Sequence, residues 1–482
     1  MQSFCRKFLV LIASFVLTAS TWANNVEVVV TDQVIAADTI VLKLQVSWDN
    51  SWQESSVDNH DAVWLFFKSR SDAGWNAVFP FEIETSDFEW STSILNTGVL
   101  LKSNETGTSF GELLVSFQGH LEISEISVSG IEMVLVDQGA FWLGDGWSNY
   151  SFTDRLGEVF QVDSDSIIAS SEIKTLSEVT VAGNLPLEFP KGYDAFYCMK
   201  YEISQQQWVS FFNHLTSTEQ QVLFPELSKK SSGDLLFSDF AINSFNGIVI
   251  SSPLENNQSA TVQCDLNQNG VYFEDADGHT LACNYLSWLQ MLYYLNWCGL
   301  RPMSELEFEK ACRGGSLPLE GEYAFGSSKV KDANTLLLEN TPYETHDEIL
   351  TENEGIAVHG YFGRQGPLRV GFAANDTTSR LESGASYWGV MEMSGNLWEQ
   401  AVSVSKVNGL SYQGNAGTGT FASFPSDWLE QSSIVRGGAW NSGIFSTYRD
   451  LAVSDRYYYG LHLEIGRNTT GGRGVISLKH LQ

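Results

Sequence analysis

Between Asn24 and Val128 apolar and polar positions alternate. In "VLKLQVSW", Leu42, Leu44, Val46 and Trp48 are separated by Lys43, Gln45 and Ser47, the period of two that gives a strand one buried face. "AVWLFFKSR", "AVFPFEIETSDFEW", "GVLLKS" and "ELLVSFQGHLEISEISV" continue the pattern, with polar turns between them and no helical period. The run predicts a small antiparallel, all-β, sandwich-like domain over residues 24–128. Inside it "GTSFG", residues 107–111, matches the G-x-S-x-G pattern of hydrolases. That motif needs a strand-to-helix elbow in an α/β fold. Here it lies between strands and is predicted as a turn.

The pattern changes at "GIEMVLVDQGAFWLGDG", residues 130–146. In "FYCMKYEISQQQWVSFFNHL", Ser204 followed by Gln207 forms a capping box, and Trp208, Phe211, Phe212 and Leu215 recur at helical spacing. This predicts a helix from about Gln205 that buries an aromatic stripe. A second capping box, Ser304 with Glu307, opens a helix in "GLRPMSELEFEKACRGG". Glu305, Glu307 and Glu309 form a carboxylate cluster suggestive of catalysis, yet acidic residues in a first helical turn are favoured by the helix dipole alone. Glu307 is assigned to the cap; for Glu305 and Glu309 the two readings stand level. "SIVRGGAW" and "GGRGVI" read as short strands, and the large C-terminal region, residues 129–482, is predicted to be irregular α+β.

Composition narrows the function classes. The chain has 58 acidic against 27 basic residues, a net charge of −31. Such a surface repels phosphate backbones and argues against nucleic acid as a partner. The N-terminus has Arg6 and Lys7, an apolar run from Phe8 to Leu17, and small residues up to Ala23. That order is a secretory signal over residues 1–23, and it predicts an exported protein, periplasmic or extracellular. No later stretch reaches the length of a membrane span. Five cysteines follow the signal, Cys198, Cys264, Cys283, Cys298 and Cys312, so at least one stays unpaired. Cys264 and Cys283 flank a polar insertion and are the preferred disulfide; Cys298 and Cys312 are expected to be buried singly.

Six blocks then occur in order: "MVLVDQGAFWLGDG", "YCMKYEISQQQWVSFFN", "YLSWLQMLYYLNWCGLRPMSELEFEKACRGG", "YWGVMEMSGNLWEQ", "VRGGAW" and "GGRGVI". Together they resemble the formylglycine-generating enzyme, or sulfatase-modifying factor, domain over roughly residues 131–477. The resemblance implies a C-type-lectin-like, loop-rich α+β fold. In active members it implies oxidation of a sulfatase cysteine to formylglycine by dioxygen, with a copper ion held by two cysteine thiolates, the soft ligands that suit cuprous copper. Carried over from the segment Gly437, Gly438 and Ala439, the two thiolate positions fall on Ser442 and Thr447, whose hydroxyls are hard, neutral ligands. The expectation is therefore a family member that has lost the oxidase, with copper disfavoured. On the analogy of lectin-like relatives, the surface near Trp440, Asn441, Tyr448 and Arg449, with Tyr457 and Tyr458 of "DRYYYG", becomes a candidate binding site for a protein or glycan. Aromatic packing in the core is the competing reading for each.

The resemblance also implies a calcium site in "MSGNLWE", built from Glu392, the carbonyls of Gly395 and Leu397, and Glu399, all hard oxygen donors. A second family site would begin near Asn334 and Thr335. Independently, "CDLNQNGVYFEDADG" places Asp265, Asn267 and Asn269 at alternate positions before Gly270, the start of an EF-hand-like loop. Its twelfth position is Ala276, so the closing bidentate ligand is missing; weak calcium binding and an Asx-rich turn stand level. The eight histidines form no H-E-x-x-H or Cys/His cluster, and "GNAGTGT" lacks the strand and helix of a nucleotide loop. Three functions remain open: a non-oxidase binding protein, an oxidoreductase that matures sulfatases, and a structural component of an envelope or secreted complex.

Overall fold

The computed structural model describes residues 26–482 apart from 37–38, 55–58, 72–73, 104–105, 119–124, 177–180, 256–257, 334–353, 361–364, 376–377, 422–423, 425–431, 444–448 and 459–464. The expected signal segment, with Cys5, lies outside these residues, as do Asn334, Thr335, Thr447 and Tyr448.

The alternating N-terminal stretch forms two facing sheets. The first joins Glu27–Ala36, Thr39–Ser51, Gly107–Gln118 and Glu82–Glu84, all antiparallel. Ile40, Leu42, Leu44, Val46 and Trp48 point inward from one strand, as their spacing predicts. They meet Val63, Leu65 and Phe67 of Asn59–Ser71 in a single core. The intervening residues of that strand, Ala62, Trp64 and Phe66, face the other way into the core of the C-terminal region. "AVWLFF" is therefore apolar without a break because both of its faces are covered.

The second sheet passes beyond the N-terminal region. Its order runs Arg301–Pro302, Gly474–Ser477, Phe196–Met199, Glu125–Val136, Asn59–Ser71, Val99–Ser103, Phe88–Thr92. The strand Glu125–Val136 pairs with Asn59–Ser71 from Glu125↔Arg70 to Val134↔Asp61, and on its other edge with Phe196–Met199 from Met133↔Met199 to Val136↔Phe196. The boundary expected at Val128 thus falls within one continuous strand shared by both regions. Polar side chains reinforce the junction. Lys200 Nζ pairs with Glu132, and with Asp61 at 3.7 Å. Lys68 Nζ donates to the carbonyls of Trp297 at 2.6 Å and Gly419 at 2.5 Å.

The C-terminal region is mixed α+β. Gln205–Asn213 and Glu305–Arg313 are helices with the expected capping boxes, and Trp208, Phe211, Phe212 and Leu215 are buried. Capping boxes at Thr216/Glu219 and Ser287/Gln290 open two further helices. No described helix is long and apolar enough to cross a membrane.

Two expectations are corrected. "GTSFG" is no turn: it forms the first residues of the strand Gly107–Gln118, where Ser109 is buried and its hydroxyl bonds Ser103 at 2.6 Å. The Cys264–Cys283 disulfide is not formed; all five described cysteines are free, buried thiols. Cys264 lies in a two-stranded ribbon opposite Ile248, while the Cys283 amide donates to Ile203 O at 2.7 Å. Burial pushes both thiols upward, which keeps them protonated.

Lys68 makes the junction sensitive to pH. Burial lowers its amine from 10.5 to about 7, so between these values the unfolded chain binds more protons and stability from this group rises with pH. Replacing Lys68 with Met should strand two carbonyls, lower stability by about 1–3 kcal/mol near neutrality, and remove that rise from denaturant titrations at pH 7 to 10. An unchanged midpoint and slope would contradict the assignment.

Candidate functional site

The candidate wall, residues 437–455, hangs from two buried arginines. Arg436 ends the strand Ser433–Arg436, and Arg456 follows the wall's last turn. Both reach the helix Glu305–Arg313. Glu305 accepts from Arg456 Nε at 2.7 Å and from Arg436 Nη1 at 3.1 Å. Arg436 Nη2 also donates to Glu309 at 2.7 Å and to Val453 O at 2.6 Å. Glu309 further accepts from Gly144 N at 2.8 Å and from Arg313 at 3.4 Å. Glu307 fills its cap and holds Arg301 through bonds of 2.6 and 2.9 Å. The carboxylate cluster is therefore structural. Burial pushes the Glu305 carboxyl up, but the Arg456 and Arg436 guanidiniums and the Val404 amide outweigh it and hold it below its usual range.

Along the wall, Gly437 has φ 83° and a Cβ there would stand 2.7 Å from Met393 O, so the turn requires glycine. Ser442 is buried, and its hydroxyl accepts from Ala439 N at 2.9 Å. It caps a turn and offers no soft ligand, so the described part of the expected copper position does not fit cuprous copper. Cys198 is buried in the strand Phe196–Met199, where burial pushes its thiol up to about 12. Trp440 corrects the binding-surface expectation. It is 3% exposed, packs in a core cluster, and donates to Asn468 O at 2.9 Å. Asn441 is half-buried beside it. Tyr457 and Tyr458 are exposed, 5.0 Å apart between centroids, with Tyr458 edge-on to Trp398.

Arg449 lies elsewhere on the wall, 4.2 Å above the Trp147 ring. Together they line an open cleft of about 310 Å³ with Glu320, Gly321, Tyr323, Ser328 and Ala452. The buried Asp145 carboxylate holds two sides of it, accepting from Trp147 N at 3.0 Å and Ser148 N at 2.8 Å on one loop, and from Gly321 N at 3.0 Å on another. Gly321 packs so closely that a Cβ would lie 3.0 Å from the Trp147 ring. Sequence reasoning reached Arg449 but missed Trp147, Glu320 and Tyr323. The one signal was Trp147 in "GDGWSNY", a turn composition that leaves an aromatic at the surface.

Glu392 and Glu399, expected as calcium ligands, lie with Glu202 in a buried cluster of carboxylates that raise one another's titration. Glu392 Oε1 accepts from Gly371 N at 2.9 Å, and Glu399 Oε1 accepts from Arg473 Nε at 2.5 Å. Glu202, missed in the sequence, accepts from Leu397 N at 2.9 Å and from the Asn396 side chain. The Gly395 amide donates to Gly437 O at 2.8 Å, which ties this cluster to the wall. The Oε2 atoms of Glu392 and Glu399 are buried without a hydrogen-bond partner. Burial raises Glu392 to about 7, against the pull of Arg473. It also raises Glu399 and Glu202.

The loop at Asp265 is an Asx-turn array. Asp265 accepts from Asn269 N and Gly270 N at 3.0 and 3.1 Å, Asn267 from Asn269 N at 3.0 Å, and Asn269 from Val271 N at 2.7 Å. Asn267 and Asn269 donate to Glu274, which the EF-hand count passed over. Among the described residues no group of three or more His, Cys, Asp or Glu is arranged to hold a metal ion.

The model of the sulfatase-modifying factor enzyme 1-like domain matches residues 125–458. The chain belongs to this family. The sulfatase-modifying factor match begins with the strand shared by the two regions and ends at Tyr458, past the wall. A comparison with curated proteins finds no match.

The hub can be tested directly. Glu305→Gln should leave Arg436 and Arg456 poorly compensated in the interior and lower stability by about 3–5 kcal/mol, read as a fall in the denaturant midpoint. Because the folded carboxyl titrates below 4.5, its contribution is present above that pH and fades as pH falls through the lower folded value. A variant as stable as the parent would contradict the hub's role.

Proposed function

We propose that this chain is an exported, non-oxidase sulfatase-modifying factor family member that binds a protein or glycan ligand through the cleft beside Arg449. The carrying observation is the contrast within one wall: the Ser442 hydroxyl is consumed by Ala439 N at 2.9 Å, whereas Arg449 and Trp147 line an open cleft. The Arg6–Lys7, Phe8–Leu17 and Ala23 pattern supports export.

Two experiments test it. Copper(I) titration of the full chain, coupled to an assay on a cysteine-containing sulfatase peptide, should show no aldehyde; tight copper binding with aldehyde formation would establish the oxidoreductase instead. A screen of labelled chain against glycan and protein arrays should return a ligand whose signal falls at least tenfold in Trp147→Ala. Silence across the arrays would favour a structural component.

A calcium ion is proposed as a stabiliser, held by Glu392, Glu399 and the carbonyls of Gly395 and Leu397. The two unpartnered carboxylate oxygens support this, because a divalent cation satisfies buried anionic oxygens. Chelation should lower the melting temperature, and Glu399→Ala should remove the response. Since Glu392 loses its proton near pH 7, the calcium-induced rise in melting temperature should grow as pH increases through that value. Equal melting curves with and without calcium at pH 8 would eliminate the ion.

A further inference from the structure

We infer that the Arg449 cleft recognises a sugar acid, its carboxylate held by Arg449 and its hydroxyls by Glu320 and Ser328. This rests on the ligand-binding reading above and adds the chemistry of the ligand.

The first observation is an arginine left without an acid. Arg301, Arg313, Arg436, Arg456 and Arg473 each hold a glutamate, at 2.6, 2.7, 2.7, 2.7 and 2.5 Å. Arg449 does not, and its Nε is closed off from solvent with no hydrogen-bond partner. In a chain with 58 acidic residues an acid partner was readily supplied, and an unsatisfied buried donor is costly. The Arg449 Cζ lies 4.2 Å from the Trp147 ring centroid, which holds the guanidinium over the ring. A guanidinium meets a planar carboxylate through two parallel N–H bonds, and with Nε closed off the terminal nitrogens are the donors for it.

The second observation is Glu320, exposed in the same cleft. A carboxylate only accepts hydrogen bonds, so it opposes a bare anion and welcomes hydroxyl donors. Ser328, also exposed, adds a hydroxyl that can donate or accept. Trp147 and Tyr323 supply apolar walls. The cleft's volume of about 310 Å³ lies at the small end of ligand pockets, roughly 300–1,000 Å³. It therefore suits a single ring over an extended chain. A neutral sugar leaves Arg449 unmatched, and a simple carboxylate leaves Glu320 unmatched. An acidic peptide brings further carboxylates toward Glu320 and a protein of net charge −31. A monoacidic polyol ring answers both groups at once.

The test is calorimetric titration of the full chain with galacturonate, galactose and acetate at low salt. Galacturonate should bind at least tenfold more tightly than either probe. Arg449→Met should weaken galacturonate at least tenfold with an unchanged melting temperature, and Arg449→Lys should restore part of the loss. Glu320→Gln should weaken galacturonate while strengthening acetate. Galactose binding as tightly as galacturonate, and losing it in Trp147→Ala, would overturn the sugar-acid assignment and leave the ligand-binding reading standing. Galacturonate binding that is indifferent to Arg449→Met, or absent, would overturn the assignment as well, while the array screen decides the broader reading separately.

Discussion

The grip of one carboxylate on two guanidiniums sets the geometry of the candidate site. Glu305 holds Arg436 and Arg456 together, and these residues are the two stems of the segment that carries Ser442 and Arg449. All three side chains are fully buried. Removing one partner leaves uncompensated charge in the interior, which makes the arrangement all-or-none rather than adjustable. The same helix extends the grip. Glu309 reaches the Gly144 loop that leads to Trp147, and Arg313 reaches Glu322 beside the Gly321 and Tyr323 side of the cleft. Both walls of the cleft are thus referred to one capped helix, and Asp145 joins them across the gap. The five fully buried arginines are each committed to a glutamate, whereas Arg449, half-buried at the cleft, is not.

The N-terminal strands are part of this rigid frame through the strand Glu125–Val136. One edge belongs to the sandwich and the other to the family domain, and Asn59–Ser71 is apolar on both faces because it closes both cores. Lys68, Asp61 and Lys200 bury charge at the same junction. Groups of that kind resist separation of the two regions, since opening the junction would break their bonds without first unfolding either core. The matched family region begins at this strand, so the sandwich strands are additional pairing partners on the edge of the family's own sheet.

Local signals were legible in the sequence and non-local ones were not. The Ser204/Gln207 and Ser304/Glu307 boxes lie within four residues and gave both helix starts. The alternation of Leu42, Leu44, Val46 and Trp48 gave the buried face of its strand. The ordered blocks gave the family. By contrast, Glu305 and Glu309 could not be separated from a catalytic pair, because Arg436 and Arg456, which bind them alongside the neighbouring Arg313, are more than a hundred residues away. Trp440 and Trp147 are the same residue type on opposite sides of the burial divide, and only tertiary packing sorts them. Val128 falls inside the strand Glu125–Val136 for a related reason: a strand's second edge is invisible to a pattern that reports faces. Cys264 and Cys283 flank the insertion as read, yet flanking does not bring two sulfurs into bonding geometry, and the Asx turns around Asp265 order that loop instead.

The most direct measurement is an arginine Nε–Hε correlation spectrum of the full chain, with solvent-exchange rates for each guanidinium at neutral pH. Arg301, Arg313, Arg436, Arg456 and Arg473 should give slowly exchanging signals that do not respond to ligand. Arg449 should shift and become more protected on addition of galacturonate. Rapid exchange at Arg436 and Arg456, or an Arg449 signal indifferent to the sugar acid, would contradict an account in which the stems are locked and Arg449 is the ligand's anchor.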